Sequence, residues 1–176
     1  MRARSTRWLI ATALAIGLVF TSGCDSRPSD TELIKNFHSH RAEFETIARM
    51  FREDRVIQRM GGSAASGAAE GPEVEEAEKA GISALRVAEY TRLIDAVGAT
   101  RNVFYRVSDD TTVFIIWAPG LAGMTGVEGK DVIYAPKEAL TPVISDTDAY
   151  RPAPGKQNVP VYRHIEGSWY IEHSFD

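Results

Sequence analysis

The sequence predicts an α+β fold, with two long N-terminal helices packed on an antiparallel sheet of about five strands. Three observations lead there. Apolar residues recur at helical spacing from Asp30 to about Glu53 and again from Ser83 to Val97. After residue 100 the period shortens to two, and the strand-like runs close on short turns as hairpins. The 176-residue length suits one domain, and a hydrophobic content of 44% suffices for a real core.

The chain opens with Arg2, Arg4 and Arg7 and carries no acidic residue before Asp25. The apolar stretch Trp8–Phe20 follows, 13 residues long. That is about 20 Å as a helix against roughly 30 Å of hydrocarbon, the length of a signal-peptide core and too short for a span. The stretch closes at Thr21-Ser22-Gly23-Cys24. This run resembles the lipobox of bacterial lipoproteins, with Thr21 standing where leucine is usual. The resemblance implies that residues 1–23 are a signal peptide, cut just before Cys24. It also implies that Cys24 carries diacylglycerol and that the new N-terminus carries an acyl chain such as palmitate. Asp25 resembles the residue that retains lipoproteins in the inner membrane of enteric-type bacteria; the outer membrane stays open. An uncleaved signal anchor, or a secretory cut elsewhere, is the alternative.

Cys24 is the only cysteine, so no intramolecular disulfide can form. Each buried methylene of an acyl chain contributes about 0.8 kcal/mol, so two or three chains hold far more firmly than one. Residues 24–29 then form a tether, of which Asp25 to Ser29 span at most about 17 Å. Removing the leader leaves 153 residues, with 17 basic side chains against 24 acidic ones, a formal charge of −7. That balance excludes nucleic acid as a partner class, because phosphate binding needs a concentrated basic surface.

The first helix, Asp30 to about Glu53, begins at a Ser29/Glu32 capping box, and Asp30 complements its positive end. Leu33, Phe37, Phe44, Ile47, Ala48 and Phe51 share its buried face. His40 falls in that stripe and reads as a packed core histidine. His38 lies about 160° away, so the two imidazoles cannot meet on one metal while helical. Arg49, Arg52, Arg55 and Arg59 recur as a solvated cationic face, near enough to the bilayer to touch anionic headgroups. Residues 61–81, rich in Gly, Ala and Ser and then in Glu, read as a flexible acidic loop. The second helix starts at Ser83 with an Ile82/Val87 staple, buries Val87, Tyr90, Leu93, Ile94 and Val97, and stops at Gly98. Arg86 projects toward the buried side and needs a carboxylate such as Glu89 or Asp95.

Val103–Val107, a turn at Ser108-Asp109-Asp110 and Thr112–Trp117 form a hairpin. Val113–Trp117 is apolar on both alternating sets, as in an interior strand covered on both faces. Glycines at every third position from Gly120 to Gly129 mark a loop over 118–130. Its Gly129-Lys130 pair lacks the rest of a phosphate loop, since Met124 replaces the first glycine and Asp131 the magnesium-binding hydroxyl residue. Asp131–Ala135 is a third strand, and in the proline-punctuated segment after it Asp146 and Asp148 suit Asx turns. The last hairpin is Val161–Ile165, a three-residue loop around Gly167, and Trp169–Ser174. It puts Val161, Ile165, Trp169 and Ile171 on one face and His164, Tyr170 and Glu172 on the other.

His164, Tyr170 and Glu172 come closest to a catalytic set, but they lack a nucleophile, and His173 points to the opposite face. Zinc would need three convergent ligands. No catalytic, metal or cofactor-binding residue is assigned, no cofactor is expected, and Cys24 is the one site residue.

Leu33 and Ile34 with Phe37 and Phe44, the Arg86, Glu89, Tyr90 spacing, and the terminal hairpin with Tyr162, Arg163, Ile165, Glu166, Gly167, Trp169 and Tyr170 resemble those of small bacterial envelope lipoproteins. The resemblance spans most of residues 30–176 and implies no particular reaction. The functional expectation is a membrane-anchored binding module facing the periplasm, held by its lipid and engaging an envelope protein partner. An immunity or inhibitor protein is the second class, and an envelope hydrolase dependent on His164 the third.

Overall fold

The computed structural model describes residues 27–62, 79–99, 102–118, 128–152 and 159–175. The expected signal peptide, Cys24 and most of the 61–81 and 118–130 loops lie outside the described residues. Among those described, three helices pack on a six-stranded antiparallel sheet, an α+β fold.

The first helical stretch forms two helices, α1 (Asp30–Ser39) and α2 (Arg41–Glu53), broken at His40. The capping box is present: Ser29 Oγ accepts from the Glu32 amide at 3.2 Å, and Glu32 accepts from the Ser29 amide at 2.7 Å. His40 adopts φ −123° and ψ 27° while its carbonyl still accepts from the Phe44 amide at 3.0 Å. The chain therefore bends without unwinding. The bend ends the 3.6-residue phase at Ser39, so His40 leaves the stripe and is half-buried, not a core residue. It also lets Phe37 and Phe44 reach the Trp169 ring from separate helices, with centroids 5.0 and 5.9 Å away.

A short strand, β1 (Arg59–Gly61), follows α2. Arg59 thus leaves the expected helical arginine stripe and Gly61 the expected loop. Three residues are too few to print a period of two, and what holds them is long-range pairing of Met60 with Val103. Helix α3 (Ala84–Val97) matches its expectation closely. Ser83 Oγ caps the Arg86 amide, all five predicted apolar residues are buried, and Gly98 ends the helix at φ +71°, where a side chain would be strained.

The remaining strands are β2 (Asn102–Arg106), β3 (Thr111–Trp117), β4 (Glu128–Tyr134), β5 (Val161–Glu166) and β6 (Trp169–Phe175). The sheet order is β1-β2-β3-β4-β6-β5. Strand β3 is interior and covered on both sides, as its double apolar pattern requires. Phe114 meets Phe44 beneath the helices at 4.9 Å, while Val113 packs on the other face with Ile133, Tyr170 and Leu140. Strand β4 begins three residues before Asp131, so Gly129 and Lys130 belong to the sheet. The last hairpin turns on Gly167 and Ser168 alone. A bulge between His164 and Glu166 absorbs the extra residue, which preserves the predicted division of faces.

Candidate functional site

Strands β4 and β6 run side by side in opposite directions, with Glu128 paired to Phe175 at one end and Tyr134 to Trp169 at the other. At about 3.3 Å per residue the ends lie roughly 20 Å apart. Each carries a distinct cluster.

At the Glu128 end, charged groups hold the start of α1 against the sheet. Lys130, fully buried, places its ammonium 2.7 Å from Asp30 and within bonding distance of Asp148. Asp30 is 1% exposed and also accepts from the Thr147 amide at 2.8 Å, the Thr147 hydroxyl and Arg163 at 3.1 Å. Burial alone would raise its carboxyl, but the bonds from Lys130, Thr147 and Arg163 outweigh it and hold Asp30 at about 2. Asp148 in turn accepts from the Asp30 amide at 2.8 Å, satisfying a donor at the helix start that has no partner within the helix. Beside this lies His173, fully buried, whose Nδ1 donates to the Thr147 carbonyl at 2.8 Å and whose Nε2 lies 2.6 Å from Glu128. Burial pushes Glu128 up, yet His173 and Arg27 bring it below the ordinary carboxylate range. Arg27 bonds Glu128 and the Asp148 carbonyl, so the chain is fixed from its first described residue. Carboxylates of Asp30, Asp146 and Asp148 come within 4.8 Å of one another, but the Lys130 ammonium already supplies the cation.

Sequence reading assigned these residues to smaller tasks. Asp30 reads as a helix-dipole partner and Lys130 as a loop residue, whereas only their long-range meeting makes the cluster. The Asx turn was legible: Asp146 accepts from the Asp148 amide at 2.8 Å.

At the Tyr134 end, one side of α2 flanks an open groove of about 450 Å³. Small Ala42 and Thr46 flank it, Glu45, Arg49 and Arg52 line it, and its floor is half-buried Tyr134 with the edge of Trp169, which is only 5% exposed. The volume is in the range of small-ligand sites. The Arg52 guanidinium lies 5.4 Å from the Tyr134 ring centroid and bonds the Ala48 carbonyl, leaving donors for a ligand. Arg49 pairs with Glu53 at 2.7 Å across an exposed surface, an exchangeable contact. An anionic group can meet the exposed arginines beside the Tyr134 edge.

The arginines expected on one cationic face are dispersed. Arg55 approaches Asp110 at 3.6 Å, and Arg59 stacks over Phe104 at 5.2 Å. Arg86 finds the predicted Glu89 at 3.3 Å but bonds more closely to Asp54 and Glu53, at 2.7 and 2.9 Å, tying α3 to the end of α2. Burial opposes its charge and these carboxylates more than restore it.

On the sheet's other face, His164 turns its ring toward Tyr170, at 5.2 Å, and lies 3.0 Å from the Gly167 carbonyl. Glu172 pairs instead with Tyr162 and lies across from Asp131, so His164, Tyr170 and Glu172 do not converge. Sequence reading missed Asp131, which is 9% exposed with Oδ1 unbonded. Burial, reinforced by the charge of Glu172, raises its carboxyl well above the ordinary range.

No family model, curated protein or solved structure matches this chain. Function must therefore be argued from these clusters.

Proposed function

We propose that this protein is a membrane-anchored binding module of the bacterial cell envelope. Lipid on Cys24 holds it to the inner membrane facing the periplasm, and the groove beside α2 receives a ligand or a partner's side chain. The observation that carries this reading is the separation of the two clusters along β4 and β6. The end that a lipid on Cys24 would hold carries Arg27 and Asp30, locked by ion pairs and hydrogen bonds, and the groove opens roughly 20 Å away. The exposed arginines Arg49 and Arg52 beside Tyr134 suit an anionic ligand group.

Photo-crosslinking in intact cells tests it. A photoreactive residue replacing Arg49 should yield one reproducible adduct that Arg52→Ala diminishes, while the same residue replacing Leu85, 85% exposed on α3, should not. Identical products from both positions, or none from Arg49 under any growth condition, would count against the groove.

A further inference from the structure

We propose that the end of the domain carrying Arg27 is a footing that rests on the lipid surface, with Tyr150, Phe175 and Val159 entering the headgroup layer and Arg151 bonding lipid phosphate. The inference rests on the lipid-anchor reading and adds to it a defined contact face.

Arg27 is bonded to Glu128 and to the Asp148 carbonyl, and Cys24 lies three residues earlier. Three residues reach at most about 10 Å, less than the ~15 Å radius of gyration of a domain this size. A lipid on Cys24 therefore brings this end of the domain, and no other, to the bilayer.

The Asp148 carbonyl accepts from both Arg27, at 3.4 Å, and Arg151, at 2.7 Å, so the two guanidiniums are neighbours. Arg151 is exposed and bonds only the backbone carbonyls of Asp148 and Tyr150 among the described residues, so no carboxylate there neutralises it. Next to Arg151 in sequence, the half-buried Tyr150 ring packs on half-buried Phe175, with centroids 5.8 Å apart. Val159, 54% exposed, lies just ahead of β5, whose Val161 pairs with His173 two residues before Phe175. Tyrosine with an apolar neighbour suits the membrane–water interface, and arginine suits phosphate.

Charge does not drive the contact. Arg27, Lys130, Arg163 and Arg151 stand against Asp30, Glu32, Glu128, Asp146 and Asp148, and the domain as a whole is acidic. The footing is weak by itself and operates because the tether supplies a high effective concentration.

The test uses the lipoprotein purified from membranes and placed in phosphatidylethanolamine/phosphatidylglycerol nanodiscs containing spin-labelled lipid, read by NMR line broadening. Signals of Tyr150, Val159 and Phe175 should broaden several-fold more than those of Ala42 and Thr46 in the groove, and Tyr150→Ser with Phe175→Ser should erase the difference. Uniform broadening, or broadening strongest at the groove or at Val143, would overturn the footing. If the purified protein carries no lipid, the anchor reading has failed. Coupling the lone Cys24 thiol to a maleimide lipid then supplies the tether chemically, and the same broadening pattern decides the footing separately.

Discussion

Lys130 is fully buried between Asp30 and Asp148. Lys130→Met leaves Asp30 without its principal counter-charge and should cost about 3–5 kcal/mol in urea unfolding. Arg41→Ala, which removes exposed contacts to Glu45 and Glu166, should cost about 1 kcal/mol or less. Two carboxyls set opposite pH slopes. Asp30, held at about 2 against 3.8 unfolded, contributes stability that is present above pH 3.8 and lost as pH falls toward 2. Asp30→Asn should flatten that acid limb. Asp131, raised by burial and by Glu172, behaves inversely: its contribution is full below pH 3.8 and is lost as pH rises through its folded value. Asp131→Asn should therefore unfold at higher urea than the parent at pH 7 and match it near pH 3. A neutral-pH loss of stability in that variant would show that the carboxyl is ionised and usefully bonded. Neither acid was distinguishable in the sequence, where Asp30 looks like any helix-start aspartate and Asp131 like a strand's first residue. The partners that decide burial lie far along the chain, at least 100 residues away for Asp30 and about 40 for Asp131, and local pattern carries no record of them.

Elements with local causes were legible, and those with remote causes were not. Helix α3 was readable from end to end because its cap, staple, apolar stripe and terminal glycine all lie within Ile82–Gly98. Gly98→Ala tests this, since φ is +71° and an added Cβ meets nothing within 4 Å, so only backbone strain is at issue. Thermal or urea unfolding should register a loss of about 1–2 kcal/mol; no change would mean that the terminus relaxes freely. The break at His40 was hidden because Phe37 and Phe44 preserve an apolar stripe across it. Strand β1 was hidden because only its partner β2 makes Arg59–Gly61 extended. The last hairpin shows compensation: the predicted loop was one residue too long, yet the bulge at β5 returned each side chain to its predicted face.

At the scale of the molecule, the fold separates two clusters. Ion pairs around Arg27, Asp30 and Lys130 fix one end of β4 and β6, and a groove lined by Arg49, Arg52 and Tyr134 opens at the other. The α+β architecture was legible because hydrophobic period alone distinguishes helix from strand. The groove was not, because it arises where small residues of α2 meet Tyr134 and Trp169 from distant strands. Attachment belongs to this scale too. Cys24→Ala should abolish acyl labelling and move the protein out of the membrane fraction, and label retained in that variant would refute the assigned site. The most direct measurement is mass spectrometry of the N-terminal peptide of protein recovered from membranes. The account predicts a chain beginning at Cys24 with diacylglycerol on its sulfur; a free Cys24 thiol, or a first residue elsewhere, would contradict it.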